Sequence, residues 1–501
     1  MQRKKLILVI VSLLVVVLSV SLAYFTTQII GKGKDVSVTS TNLQIVFTDT
    51  DGEIAGADIE PGWQKTKTFT VENNSKSEYK YNIVIKDLLN TFVTEGYLKY
   101  KITSTNNGYN MTEFKDIPKS SIATDTILAY SVVIPNGITQ SYTIEFKYAN
   151  DESVDQSIDM NKKLSGTLFI TEGTEDPNKT LLTQLHVDKS TKLTRTSFSS
   201  VLTTDNTKTL YAGTENGTTV YYFAGNATDN WVKFGKNASN QDLYWRIIRT
   251  NSDGGVRLLY HGTSTTATDA VINTSTAFNT TYNNPMYVGY MYGTSGSLAN
   301  NRLNINNSSI KDKIDTWYEQ NMTSYTKYLS TTAVYCNDRS NPAGGYNTGS
   351  TTFYYGGYTR LITNKAPTYD CTDTNDKFTV DTSTGNGKLT YPIALMTADE
   401  VSFAGGLWAT NTSTWYYYNS AKGSSTGSTW WWLLSPFSWN GSHARVFSVY
   451  GSSNPGYLDD YYVGYANGVR PAISLKSCVK TSGGDGSASA PYTIKETETG
   501  C

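Results

Sequence analysis

Apolar and polar residues alternate along the first third of the chain. Tyr79, Tyr81, Ile83 and Ile85 run against Lys80, Asn82 and Lys86, and Tyr142, Ile144, Phe146 and Tyr148 run against Thr143, Glu145 and Lys147. A period of two marks half-buried strands that need a facing sheet. Glu60-Pro61-Gly62-Trp63, Asn73-Asn74-Ser75 and Pro135-Asn136-Gly137 supply turns between them. The pattern predicts a β-sandwich over residues 37–171. The polar run Thr171-Glu172-Gly173-Thr174-Glu175-Asp176-Pro177 has no periodicity, which places a domain boundary there and a linker over 172–209.

From Tyr211 onward the strands become shorter and more aromatic. Residues 244–249 and 256–260, joined through Ser252-Asp253-Gly254-Gly255, read as a hairpin. Two helices interrupt them. Ser309 opens one, with Asp312 three residues on and Ile310, Ile314 and Trp317 on a single face. Thr397 and Glu400 form a capping box at the start of a second, which Gly405-Gly406 stops. Asp399 and Glu400 are expected as cap and dipole partners rather than a catalytic pair. The fold class expected is mainly β with a few short helices.

Before the sandwich, Gln2-Arg3-Lys4-Lys5 precedes an uncharged stretch over residues 6–25, long enough at about 30 Å to cross a bilayer. The predicted order is a cytoplasmic basic tail at 1–5, a transmembrane signal anchor at 6–25, and everything beyond Thr26 outside the cell, a single-pass membrane topology. A cleaved signal peptide, which would leave the chain secreted, stays open. A membrane helix followed by such a sandwich resembles anchored or secreted proteins of Gram-positive bacteria, including matrix-fibre subunits of the TasA type and Ig-like stalks. The resemblance implies a stalk that lifts the next domain off the surface, or a fibre subunit.

Charge narrows the partners. Lys plus Arg is 42 against 43 Asp plus Glu, which gives no basic surplus for nucleic acid. His186, His261 and His443 are too scattered for zinc spacing, so neither metal nor cofactor is expected. Cys336 and Cys371 are expected to pair across a loop of about 35 residues, worth roughly 3–4 kcal/mol. Cys478 and Cys501 pair or stay free.

An ordered series marks the C-terminal part: Asn337-Asp338-Arg339-Ser340 after Cys336, then residues 389–401 with Gly405-Gly406, then Trp430-Trp431-Trp432-Leu433-Leu434-Ser435-Pro436, then Gly468-Val469-Arg470-Pro471. The series resembles bacterial and phage surface proteins with an α+β C-type-lectin-like domain, in the version shared with formylglycine-generating enzymes and the variable proteins of diversity-generating retroelements. It implies such a domain over 210–495. The redox cysteines and histidine triad of the enzymes of that fold are missing, as are the Glu-Pro-Asn and Trp-Asn-Asp strings of calcium-dependent lectins. Asp459 and Asp460, adjacent on a strand, would face opposite ways and chelate poorly.

Residues 440–467 contain no Lys, Glu, Gln, Met or Trp, and their tyrosines alternate with Ser, Gly, Asn and Asp. Rigid rings among adaptable small polar residues are the composition of antibody paratopes. The segment resembles a retroelement-diversified surface, with Ser438, Asn440, His443, Arg445, Ser448, Tyr450, Asp459, Asp460, Tyr461, Tyr462, Gly464, Tyr465 and Asn467 as candidate ligand-binding positions. The same residue types abound along the whole chain, so composition alone also fits an ordinary strand-and-turn stretch. Val446, Phe447, Val449, Leu458, Val463 and Val469 read as scaffold, Trp430 to Trp432 as packing beneath the site, and Arg470 as a structural ion-pair residue. No catalytic residue is nominated. The expected function is a membrane-anchored surface protein that binds a protein or glycan. Its rivals are a structural envelope or fibre protein and, more weakly, a carbohydrate-active enzyme with carboxylates near Asp338 or Asp370.

Overall fold

The computed structural model describes residues 36–40, 43–49, 54–55 and 59–501, apart from 112, 175, 190, 268–269, 342–344, 413–414, 417–429, 452–453 and 455. The predicted tail at 1–5 and membrane span at 6–25 lie outside the described residues. Among the described residues no helix is long and apolar enough to cross a membrane. The protein is mainly β, with few and short helices, and divides into two compact units, Met1–Pro177 and Asn178–Cys501.

In the first unit two sheets share one core. The six-stranded sheet runs Val36–Ser40, Leu43–Asp49, Gln64–Asn73, Thr139–Tyr148, Leu98–Ser104, Lys115–Asp116, and the four-stranded sheet runs Ile54–Ala55, Leu164–Glu172, Tyr79–Asn90, Ser120–Ile134. The alternating positions read from sequence point inward: Tyr81, Ile83, Ile85, Tyr142, Ile144, Phe146 and Tyr148 are all buried. Polar atoms inside are paired, as burial demands. Tyr81 Oη lies 2.6 Å from both Gln140 Oε1 and Tyr142 Oη, tying one sheet to the other. Phe47 and Phe169 meet between the sheets at 6.0 Å. At the Glu60–Trp63 turn, Trp63 N–H donates to Glu60 O at 2.9 Å, and Gly62 takes the φ of 95° that the turn requires.

The second unit holds a ten-stranded and a six-stranded sheet around a continuous aromatic and aliphatic core. The hairpin of Asp242–Thr250 and Val256–Gly262 lies centrally in the larger sheet, and Val256–Gly262 pairs onward with Pro471–Leu475. Strand Tyr492–Ile494 runs parallel to Trp231–Lys236. The helix Ser309–Asn321 buries Ile310, Ile314 and Tyr318. Its N-cap is Ser308, whose hydroxyl accepts from Lys311 N–H, one residue earlier than the sequence pattern placed it.

The stretch 172–209 departs from its expected role as a linker. Thr180 caps a helix, Leu181–Asp188, that buries Leu181 and Leu185, and strand Thr191–Thr194 pairs with Thr209–Glu215. Its weak periodicity hides a helix that depends on tertiary partners: Leu181 N–H donates to Val479 O at 2.9 Å and Gln184 Nε2 to Gly484 O at 2.7 Å. Cys336 bonds to Cys371 with Cα atoms 5.8 Å apart, and Cys478 bonds to Cys501.

Candidate functional site

Three consecutive antiparallel strands, Trp431–Trp439, Ala444–Val449 and Leu458–Tyr462, carry the segment singled out above. Arg445 lies opposite Tyr462 and Phe447 opposite Asp460, sharing one face, while Val446 opposite Tyr461 and Ser448 opposite Asp459 share the other. Val446, Phe447, Val449, Leu458, Val463 and Val469 are all fully buried, each worth about 1.5–3 kcal/mol. They make a rigid floor.

The candidate positions divide on that floor. Gly464 and Tyr465 are exposed, Tyr465 at 53%, and Asn440, His443, Arg445, Tyr450, Asp459, Tyr461 and Tyr462 are half-buried. Ser438, Ser448, Asp460 and Asn467 are buried, none above 6% exposed. These four correct the expectation of a ligand contact, because their side chains are packed inside the unit, on both faces of the strands, and leave no surface for a ligand. Asn440 shapes its turn, its Oδ1 accepting from His443 N–H at 2.8 Å and Ser442 N–H at 3.1 Å.

The accessible rings form one continuous series. Tyr282 stacks on His443 at 4.6 Å with planes 3° apart, and His443 contacts Tyr462 at 4.7 Å. Tyr462 meets Tyr465 at 5.6 Å, Tyr465 meets Tyr461 at 5.2 Å, and Tyr461 meets Trp430 at 4.8 Å. Trp430 in turn touches Tyr450. Tyr282 and Trp430 were missed as surface members. Trp430, half-buried, was placed beneath the site together with Trp431 and Trp432, which are indeed fully buried. Tyr282 lies far upstream in the chain and carries no local sequence signal; in the fold Gly464 leaves it room, since a Cβ there would sit 2.9 Å from its ring.

Arg445 supplies the charge. Its Nε pairs with the Asp460 carboxylate, and its guanidinium lies over Tyr462 at 4.8 Å and Phe437 at 5.7 Å. Burial pushes the Asp460 carboxyl up, Arg445 pulls it down, Asp459 raises it again, and it settles at about 7. Burial raises Asp459 as well. Among the described residues no three His, Cys, Asp or Glu side chains converge as metal ligands.

The same unit holds a web of buried and partly buried ion pairs. Glu400 Oε1 receives Arg249 Nε at 2.9 Å and Arg257 Nη1 at 2.7 Å, and Arg249 Nη2 reaches Glu215 at 2.8 Å. Arg360 bridges Asp399 at 2.7 Å and Asp338 at 2.8 Å. Burial works against the Glu215 carboxylate, yet Arg249, Arg257 and the Ser252 N–H together outweigh it and hold the group at about 2. Burial likewise opposes the Glu400 carboxylate, which Arg257 and Arg249 hold below its ordinary range. Asp399 and Glu400 are thus ion-pair anchors as well as first-turn residues. The helix they open is tied to the site, since Ala398 N–H donates to Ser435 Oγ at 3.0 Å and Leu434 N–H to Met396 O at 2.8 Å. Asn337, from the same ordered series, donates to Leu434 O at 2.7 Å. Arg470, expected in an ion pair, has among its described partners the Tyr260 carbonyl at 2.8 Å, the His261 ring and the Trp431 face.

The cavity between Asp338, Asp370, Asp399 and Glu400 measures about 20 Å³, room for roughly one water. Residues 300–477 match a domain of unknown function (DUF6273). The matched region contains the Asn337–Ser340 run, the Thr397 capping box, the tryptophan run and every candidate position from Ser438 to Asn467. No curated protein and no solved structure matches the chain.

Proposed function

We propose that the protein is a membrane-anchored surface protein of a bacterium, single-pass with its bulk outside, whose second unit binds a macromolecular ligand through the ring series of Tyr282, His443, Tyr462, Tyr465, Tyr461 and Trp430. The observation that carries this reading is the continuity of half-exposed rings over a fully buried floor. Exposed aromatics in such number cost solubility, and rigid Tyr and Trp faces supply contact area at little entropic cost. The ligand is a protein or a glycan, and the domain is C-type-lectin-like. The variable residues of the segment are those with side chains at the surface, from Asn440 through Tyr465.

Two disulfides in the second unit fit an oxidising compartment. The sandwich then serves as stalk. Catalysis forms no part of this reading: the carboxylates near Asp338 are tied to arginines around a space too small for a sugar ring.

Cells displaying the full chain should bind ligands found by a glycan array or a display screen of surface proteins. Replacing Tyr461, Tyr462 and Tyr465 together with Ser should abolish that binding while thermal melting of the purified full chain stays cooperative. Retained binding in the triple variant overturns the reading, and concentration-dependent light scattering of the unmodified chain favours a self-assembling envelope protein instead.

A further inference from the structure

At the entrance to the second unit, a lysine and an aspartate are held together where water has little access. Lys189 follows the Leu181–Asp188 helix, and its side chain is 0% exposed, while that of Asp229 is 8% exposed. Lys189 Nζ lies 2.8 Å from Asp229 Oδ2 and 3.0 Å from the Asp485 carbonyl. The Tyr492 ring is 5.2 Å from the same nitrogen, and its hydroxyl donates to Asp188 at 2.9 Å. Gly486, at φ 83°, allows the 485–486 turn to close on the Asp229 backbone, because a Cβ there would meet Asp229 O at 2.3 Å.

The two carboxylate oxygens of Asp229 are in different situations. Oδ2 accepts from both Lys189 Nζ and Lys208 N–H, the latter at 2.7 Å. Oδ1 is buried with no hydrogen-bond partner. A buried, unpartnered carboxylate oxygen is costly. Two other buried lysines meet aspartates in ordinary ways: Lys67 stands 3.4 Å from Asp49, and Lys311 and Asp315 are one turn apart on the same helix with Asp315 15% exposed.

We infer that Lys189 and Asp229 are joined by an intramolecular isopeptide bond. The ammonium and the carboxylate condense to an amide and one water, with no oxidant or activating co-substrate. The new bond links Nζ to Cγ, and the bond that breaks is Cγ–Oδ1. Two of the three ammonium protons leave with Oδ1 as water, and the third stays on the amide nitrogen. The product's hydrogen bonds are already in place. Oδ2 becomes the amide oxygen and keeps the Lys208 N–H, and the amide N–H keeps the Asp485 carbonyl. The orphaned oxygen is the one that departs. Restricted water access favours condensation and protects the product from hydrolysis. The bond would fasten the segment by which the chain enters this unit to the turns at 229 and 485.

The test is a peptide map of the purified full chain, unfolded and reduced before digestion with trypsin. The expected product joins residues 180–192, uncleaved after Lys189, to residues 209–233, and is lighter than the two separate peptides by one water. The D229A variant should be cleaved after Lys189 and give 180–189, 190–192 and 209–233 as separate peptides. Separate peptides of unmodified mass from the wild-type chain overturn the inference. A fused product that persists in D229A overturns the assignment to Asp229.

Discussion

The Tyr282 phenol and the His443 imidazole lie nearly parallel, with centroids 4.6 Å apart, so a ring from an upstream loop completes a surface otherwise built from one short stretch of chain. The stack depends on Gly464, beside which any Cβ would press on the Tyr282 ring. Gly464→Ser should displace Tyr282 and weaken ligand binding. Stability should change by less than about 0.5 kcal/mol, because the position is exposed. Binding titrations beside thermal melts check both halves.

Tyr465 is the most exposed ring of the series. Tyr465→Ser should lower affinity several-fold and leave the melting temperature within about 0.5 kcal/mol of the wild type in stability terms. Collapse of the fold on this single change would show that the ring belongs to the core.

The floor should respond in the opposite way. Trp431→Ala opens a cavity at a fully buried position and should cost roughly 3–5 kcal/mol. Glu400→Gln keeps an amide oxygen but removes the negative charge shared by Arg249 and Arg257, leaving buried cations without their counter-charge at a cost on the order of 3–5 kcal/mol. Denaturant unfolding of each variant, with a midpoint shift at unchanged slope, measures these losses.

Asp460 has its folded-state pKa raised, to about 7. A carboxyl raised in this way binds its proton more tightly in the folded protein, so its contribution to stability is full below its ordinary pKa and is lost as pH rises through about 7. D460N cannot ionise. Its stability relative to wild type should therefore rise between pH 5 and pH 8, read from melting curves at each pH. Glu215 works the other way. Its pKa is depressed to about 2, so its contribution is present above the ordinary glutamate range and is lost as pH falls towards 2.

The strands of the sandwich were legible because period two is written in each strand separately, as in Tyr142 to Tyr148. The Thr397 capping box was legible for a similar reason, since both of its partners lie within one turn. Helix Leu181–Asp188 was not legible, because the contacts that hold it come from residues 479–484. In the candidate site, composition picked out the ring-rich segment but could not separate Tyr465 from Asn467, or Asp459 from Asp460. Burial in the folded unit makes those distinctions. Tyr282 lay outside any local pattern, and the web around Glu400 joins arginines and acids from four separate stretches.

The parallel pairing of Tyr492–Ile494 with Trp231–Lys236 has a consequence for the order of events during synthesis. Strand Trp231–Lys236 pairs at once with Asp242–Thr250, but its other edge stays open until a partner hundreds of residues away has been made, and helix Leu181–Asp188 waits on the same late region. Contacts of such long range slow folding and defer it to the end. The unit should therefore hold little more than local hairpins while it is being made, and acquire its shape in one late, cooperative closure.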